Sequence, residues 1–219
     1  DRAFIYDLKT ATTISDYVYV AESDATNSTL TFKKITSDNW GSLDLSRMTI
    51  VNNERTVKEM CTNNYSSIKN IIFDESFKTY APTSLKDFFI DCTNLETISG
   101  LEYLNTANVT DMNHMFYGCS ALKSLDLTHF NTAKVTDMSY MFFKCTALTS
   151  LDLTNFNTAN VTSMNSMFRR CSALESLVLT NFNTANVTDM NSMFDSSSAL
   201  TSLDLTNFNT ANVTDMGYM

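Results

Sequence analysis

Proline and glycine are scarce, at one and four in 219 residues. Turns must therefore be built by other residues, and Asn, Thr and Ser have side chains that bond turn backbone. No apolar run approaches the ~18 residues that a membrane-crossing helix needs. Acidic residues outnumber basic ones by 24 to 15, leaving a net charge of −9. That balance argues against nucleic acid, whose phosphates need a basic surface, and gives no support for an anionic membrane face. The two histidines, His114 and His129, occupy repeat positions that other residues fill in other copies. There is no Gly-x-Ser-x-Gly, no phosphate-binding loop and no His-Glu-x-x-His. The acidic residues recur with the repeat, so no pair stands out as an acid/base couple. The chain reads as a non-enzyme with no catalytic residue and no cofactor. Five cysteines include no Cys-x-x-Cys pair, so no metal site is expected. The first residues, Asp1-Arg2-Ala3, bring neither Met nor an apolar leader, as in a mature or trimmed fragment.

What is present is a tandem repeat. Val-Thr-(Asp/Ser)-Met begins at 109, 135, 161, 187 and 213, a step of 26 residues, and Met-Phe follows at 115, 141, 167 and 193. A period in this range around Leu-x-x-Leu-x-Leu reads as a leucine-rich-repeat array. Leu122, Leu125 and Leu127 open one short strand per copy, with Ser124, Asp126 and Thr128 on the opposite face. Strands are expected at about Leu122–Leu127, Leu148–Leu153, Leu174–Leu179 and Leu200–Leu205. Val109, Met112, Met115, Phe116 and Cys119 fall on one stripe about 120° wide at helical pitch. They predict a helix of about three turns, with Asp111 at its positive end. The expected fold class is α/β, a leucine-rich-repeat-like right-handed β-α solenoid with 26-residue repeats and a β-rich N-terminal cap. The expected divisions are the cap at 1–45, degenerate repeats at 46–100, and regular repeats at 101–219 with the last copy cut off.

In the cap, Ala3–Tyr6, Tyr17–Ala21 and Leu30–Lys33 look like strands, with a polar turn at Ser23-Asp-Ala-Thr-Asn27 and Trp40 packing at the junction. In the degenerate region Val57-Lys-Glu-Met60 echoes Val-Thr-Asp-Met, and Ile68, Ile71 and Phe73 echo the leucine strand. Leu85, Phe88, Phe89 and Cys92 echo Met112, Met115, Phe116 and Cys119 at 27 residues, with Gly100 placed to absorb the extra residue.

The run Ile72-Phe-Asp-Glu-Ser-Phe77, Pro82-Thr-Ser84, Phe88-Phe-Ile-Asp-Cys92 and Gly100-Leu-Glu-Tyr-Leu-Asn-Thr-Ala-Asn-Val-Thr-Asp-Met112 resembles the lead-in of BspA-like leucine-rich-repeat surface proteins. The repeat Asn-Thr-Ala-Asn-Val-Thr-Asp-Met-x-x-Met-Phe-x-x-Cys-x-x-Leu-x-Ser-Leu-Asp-Leu resembles that family's over roughly 68–219. The resemblance implies a bacterial cell-surface or secreted protein, some of whose relatives are adhesins. It marks core positions and carries over no functional residue.

The aligned Cys119, Cys145 and Cys171, with Ser197 in the next copy, read as a column of buried thiols. The methionines at the repeat's two Met positions read as gap-filling core, and Phe130, Phe156, Phe182 and Phe208 as an internal aromatic column. Asn131, Asn157, Asn183 and Asn209 can bond turn backbone, and the Asn-Val-Thr sequons at 108, 160, 186 and 212 read as incidental. The surface that remains is a ladder of small polar groups: Ser124, Asp126, Thr128; Ser150, Asp152, Thr154; Ser176, Val178, Thr180; Ser202, Asp204, Thr206. Strand side chains pointing one way lack the converging oxygens of a tight calcium site. The positions that vary most are Tyr117-Gly118, Phe143-Lys144, Arg169-Arg170 and Asp195-Ser196.

Two functions fit. One is a non-enzymatic binding or adhesion module for a host extracellular-matrix protein, cell-surface protein or glycan, using the Ser/Asp/Thr ladder. The other is a stalk that projects another domain. No nucleic acid and no membrane span are expected, and the chain reads as a monomer.

Overall fold

A computed structural model describes residues 17–36, 44–51, 55–61 and 65–219. The strand expected at Ala3–Tyr6 and the junction residue Trp40 lie outside the described residues. The first described unit is a hairpin, β1 (Tyr17–Ser23) antiparallel to β2 (Thr29–Thr36). Turn chemistry closes it: the Asp24 carboxylate accepts from the Ser28 N–H at 2.9 Å, and Asn27 sits at φ 54°. β3 (Met48–Ile50) pairs antiparallel with β1, while β4 (Asn70–Phe73) pairs parallel with β2, and β5 (Thr97–Ser99) parallel with β4. The result is a mixed five-stranded sheet in the order β3-β1-β2-β4-β5. One face carries Ala21, Leu30, Phe32, Ile71 and Phe73 into the main core; Val20, Ile35 and Met48 form a small second cluster. The main core runs without interruption from Ala21 to Met193.

The expected β-α solenoid is not formed. Among the described residues the one α-helix is Val57–Met60, four residues with a Thr56–Glu59 capping box. The 109–119 segment, expected to be a helix, is a run of turns. The expected strands at 122–127 and 200–205 are absent, and the other two shrink to β6 (Ser150–Asp152) and β7 (Ser176–Val178), paired in parallel. β6 stops where the Asp152 carboxylate takes the Thr154 N–H at 2.9 Å.

Left-handed residues explain the missing helix. His114 and Gly118 have φ 56° and 73°, and Tyr140/Lys144, Ser166/Arg170 and Ser192/Ser196 repeat the pattern. Two left-handed residues four apart break any α-helix. The N–H groups then divide between two sets of partners. Those of Met115, Tyr117 and Cys119 bond three residues back, to Met112, His114 and Phe116. Those of Met112, His114, Phe116 and Gly118 bond across to Asp137, Ser139, Met141 and Phe143 of the next copy at 2.8–3.0 Å. Successive overlapping turns thus satisfy their backbone laterally, and the apolar spacing that resembled a helix is the inward side of this ribbon. Asp111 caps no helix: its carboxylate accepts from the Asn113 N–H at 2.9 Å, and it forms parallel bridges with Ser84 and Asp137.

Gly100 sits where the repeat gains its extra residue. It is left-handed at φ 74°, and a Cβ there would lie 2.0 Å from the Phe73 carbonyl oxygen. No other residue fits so close to backbone.

Candidate functional site

Between the copies, side chains supply a second set of bonds. Thr132, Thr158 and Thr184 are buried; each donates to the carbonyl of the Asn 25 residues on, at 3.0 Å, and accepts that residue's N–H. Asn131, Asn157 and Asn183 close their own turns through the N–H of Ala133, Ala159 and Ala185. The sequon residues Asn160, Asn186 and Asn212 each donate to the Ala carbonyl of the copy before, at 2.7 Å.

The cysteine column has a chemical reason beyond volume. Cys119, Cys145 and Cys171 donate to the carbonyls of Phe89, Phe116 and Phe142 at 3.3, 3.2 and 3.0 Å. Ser197 does the same to Phe168 at 2.6 Å. The position needs a small donor, which is why serine replaces cysteine. All five cysteines are free thiols. Burial pushes Cys92 and Cys171 up to about 12, and Cys119 and Cys145 well above the ordinary thiol value.

The main aromatic column is Phe89, Phe116, Phe142, Phe168 and Phe194, stacked at 5.0–5.8 Å with planes within 10°. Sequence reasoning placed these rings in the core but missed their stacking. Phe130, Phe156 and Phe182 are buried as expected, and Phe182 stacks on Phe208 at 6.4 Å.

The Ser/Asp/Thr ladder is at the surface. Ser124, Asp126, Thr128, Ser150, Asp152, Ser202, Asp204 and Thr206 are exposed, and Thr154 is half-buried. Its carboxylates are occupied. Asp126 accepts from the Thr128 hydroxyl at 2.6 Å and its N–H at 3.0 Å, and Asp204 likewise from Thr206 at 2.7 and 3.0 Å. The Thr128 hydroxyl and N–H hold Asp126 below the usual carboxylate value; the N–H of Thr154 and Thr206 does so for Asp152 and Asp204. No group of three His, Cys, Asp or Glu side chains converges among the described residues.

The variable positions lie on the outer turns, where Lys144, Arg170 and Ser196 are exposed, Tyr117, Arg169 and Asp195 half-buried, and Gly118 and Phe143 buried. His114 stacks on Tyr140 at 4.8 Å and Tyr117 on Phe143 at 4.7 Å, making an aromatic tile across two copies. Partial burial holds His114 below the ordinary imidazole value. Beyond the tile lie three cations: Lys144, Arg169 and Arg170 sit 5.5, 5.9 and 6.0 Å from the Phe143 ring centre. Arg169 is paired with Asp195 at 2.7 Å. Beside them runs an open groove of about 490 Å³ lined by Asp91, Gly118, Lys144, Arg170 and Ser196 from one repeat position and by Thr93, Ser120, Thr146 and Ser172 from another. Sequence reasoning marked these positions as variable but drew no site from them; the clustering of rings and cations in adjacent copies was the available signal.

Among solved structures, that of a T. pallidum leucine rich repeat protein aligns over 86% of this chain and 90% of that one, at 10% identity and a TM-score of 0.31. A likeness that loose carries neither fold nor function. No curated protein matches the chain. A protein family does match, over residues 55–151, 83–178 and 143–219, which together reach from 55 to 219. The repeats described above fill that span, and the chain belongs to the family described as "Mycoplasma protein of unknown function, DUF285".

Proposed function

We propose that this chain is a non-enzymatic binding module of a bacterial cell-surface or secreted protein, and that it engages its partner through the outer-turn face. One observation carries the reading. The backbone of the outer turns repeats bond for bond, yet the side chains it presents differ in every copy: Tyr117-Gly118, Phe143-Lys144, Arg169-Arg170 and Asp195-Ser196. There the exposed cations Lys144 and Arg170 stand beside half-buried His114, Tyr117 and Tyr140, which pack on a buried Phe143. Aromatic and Arg side chains are those most enriched at binding hot spots. The BspA-like resemblance of the repeat supports an adhesive role for a host matrix or cell-surface macromolecule. Among the described residues no helix is long and apolar enough to cross a membrane.

The stalk reading draws on a different observation, the uniform Ser/Asp/Thr face whose carboxylates close their own turns. Adhesion separates the two. Beads coated with the 219-residue chain are presented to host cells and to matrix-coated wells. Tyr117→Ser with Tyr140→Ser should abolish attachment, while Asp126→Asn with Asp152→Asn leaves it unchanged. No attachment by the unaltered chain on any surface favours the stalk and sinks the proposal.

A further inference from the structure

We infer that the groove beside Lys144 and Arg170 is a subsite for a glycan carrying a single carboxylate among neutral hydroxyls. The inference rests on the binding-module reading and names its partner class.

Backbone geometry makes the two cations conspicuous. Their repeat position is left-handed in every copy: Gly118 at φ 73°, Lys144 at 59°, Arg170 at 61° and Ser196 at 62°. Glycine adopts that conformation freely, and Asn or Asp tolerates it through local hydrogen bonds. Lys and Arg have neither advantage. A long cationic side chain at such a position works against the fold, and residues held in sparsely populated backbone conformations cluster at functional sites.

Neither charge is neutralised by a close ion pair, although Asp195 also feels Arg170. Arg169 takes Asp195, but neither Lys144 nor Arg170 forms an ion pair among the described residues. The Lys144 N–H bonds the Arg169 carbonyl at 3.0 Å, so Lys144 and Arg170 belong to adjacent copies whose main chains lie about one strand spacing apart, ~4.8 Å, and both charged groups stand within 6.0 Å of the Phe143 ring centre. Like charges on adjacent copies repel each other, and one anion between them would offset that repulsion. In a chain of net charge −9 they form a local cationic spot, which selects an anion at that place.

The surroundings narrow the ligand. Ser120 and Thr146 donate their hydroxyl protons to the carbonyls of Thr93 and Ser120, leaving their oxygens free to accept. The groove is within the size range of small-ligand sites. Its far end carries Asp91, and Asp195 lies just beyond Arg170. A polyanion laid along the copies would meet these carboxylates. A sugar chain with one acid would instead seat it between Lys144 and Arg170 and offer hydroxyl protons to Thr146 and Asp91.

The test uses the full chain and a fluorescently labelled tetrasaccharide ending in glucuronic acid, with binding read by anisotropy. Two comparison probes are the same sugar with its carboxyl reduced to an alcohol, and heparin. The decisive variant is Lys144→Gly with Arg170→Gly; Lys144→Asn with Arg170→Asn is its second form. Both suit the left-handed backbone, so the melting temperature should hold or rise while affinity falls at least about tenfold, as loss of charged hydrogen bonds requires. The reduced sugar should bind weakly. Equal binding of the reduced sugar, full binding by the glycine and asparagine variants, no binding of the acidic sugar, or tighter binding of heparin would each overturn the inference. If bead attachment persists unchanged in the glycine variant, the module reading stands and the glycan falls alone. If the unaltered chain attaches to nothing, both fall.

Discussion

Phe168→Ala should be the most damaging single change in the regular repeats. Phe168 is fully buried and lies between Phe142 at 5.6 Å and Phe194 at 5.8 Å, with ring planes within 5°. Truncating a buried Phe to Ala typically costs about 3–5 kcal/mol, from lost transfer energy and the cavity left behind. This site should fall at the upper end, because its lining includes rings fixed by their own backbone bonds to neighbouring copies, which limits collapse. Phe168→Leu separates stacking from burial. Leucine keeps most of the apolar volume but loses two ring pairs, each worth about 0.5–1.5 kcal/mol beyond area. About 1–3 kcal/mol is then the expected loss. Urea unfolding followed by circular dichroism measures both, with Arg170→Ala as an exposed control that should leave the midpoint unchanged. Equal losses for Phe168→Ala and Phe168→Leu would show that stacking dominates. A Phe168→Ala cost below about 1 kcal/mol, a typical surface value, would refute the internal column.

Two more outcomes are expected. A thiol reagent should label Cys61 first in the native protein, since it alone is partly exposed, and Cys145 only after unfolding; rapid native labelling of Cys145, checked by mass spectrometry, would contradict the buried column. Acid should spare the fold down to about the ordinary carboxylate value. Asp126, Asp152 and Asp204 are all held below 3.8 in the folded chain, so the stability they contribute is fully present above that value and is lost as pH falls below it. Carboxylate titration followed by NMR should show Asp126 moving back towards 3.8 in Thr128→Val, and an unchanged titration would mean the Thr128 hydroxyl is not the cause.

Much of the inward-facing pattern was legible, because burial depends on spacing alone. Val109, Met112, Met115, Phe116 and Cys119 are all buried, as their stripe required. The backbone that delivers them was not legible. Offsets of 0, 3, 6, 7 and 10 fit a helix, but they fit equally a ribbon of overlapping turns. What decides is the handedness of His114, Tyr140, Ser166 and Ser192, and only Gly118 among the left-handed positions hinted at it. Asn and Thr were read as turn formers, which they are; that they also join one copy to the next depends on stacking distance, which a single copy does not encode. The outer surface was least legible. Tyr117 and Phe143 are 26 residues apart, and nothing in either copy alone says that their rings meet.

Where the hydrogen bonds go also decides which face is free to vary. The bonds that join copies run through backbone, through Thr132, Thr158 and Thr184, through Asn160, Asn186 and Asn212, and through the Cys/Ser column. At the left-handed position of the outer turns the lateral bond is main-chain: Gly118, Lys144 and Arg170 each donate their N–H to the next copy whatever side chain they carry, while Arg169 beside them adds a side-chain pair with Asp195. Replacing the Lys144 or Arg170 side chain removes no bond between copies. On the Ser/Asp/Thr face replacing Asp126 or Asp152 removes the acceptor that closes its own turn, a loss that the third copy, with Val178 there, already carries. Recognition built on that face would be coupled to turn closure, whereas recognition built on the Lys144 and Arg170 side chains would not. Under the proposed binding role, that asymmetry makes Lys144 and Arg170 the positions where side chains can change at least cost to the bonds that hold the stack.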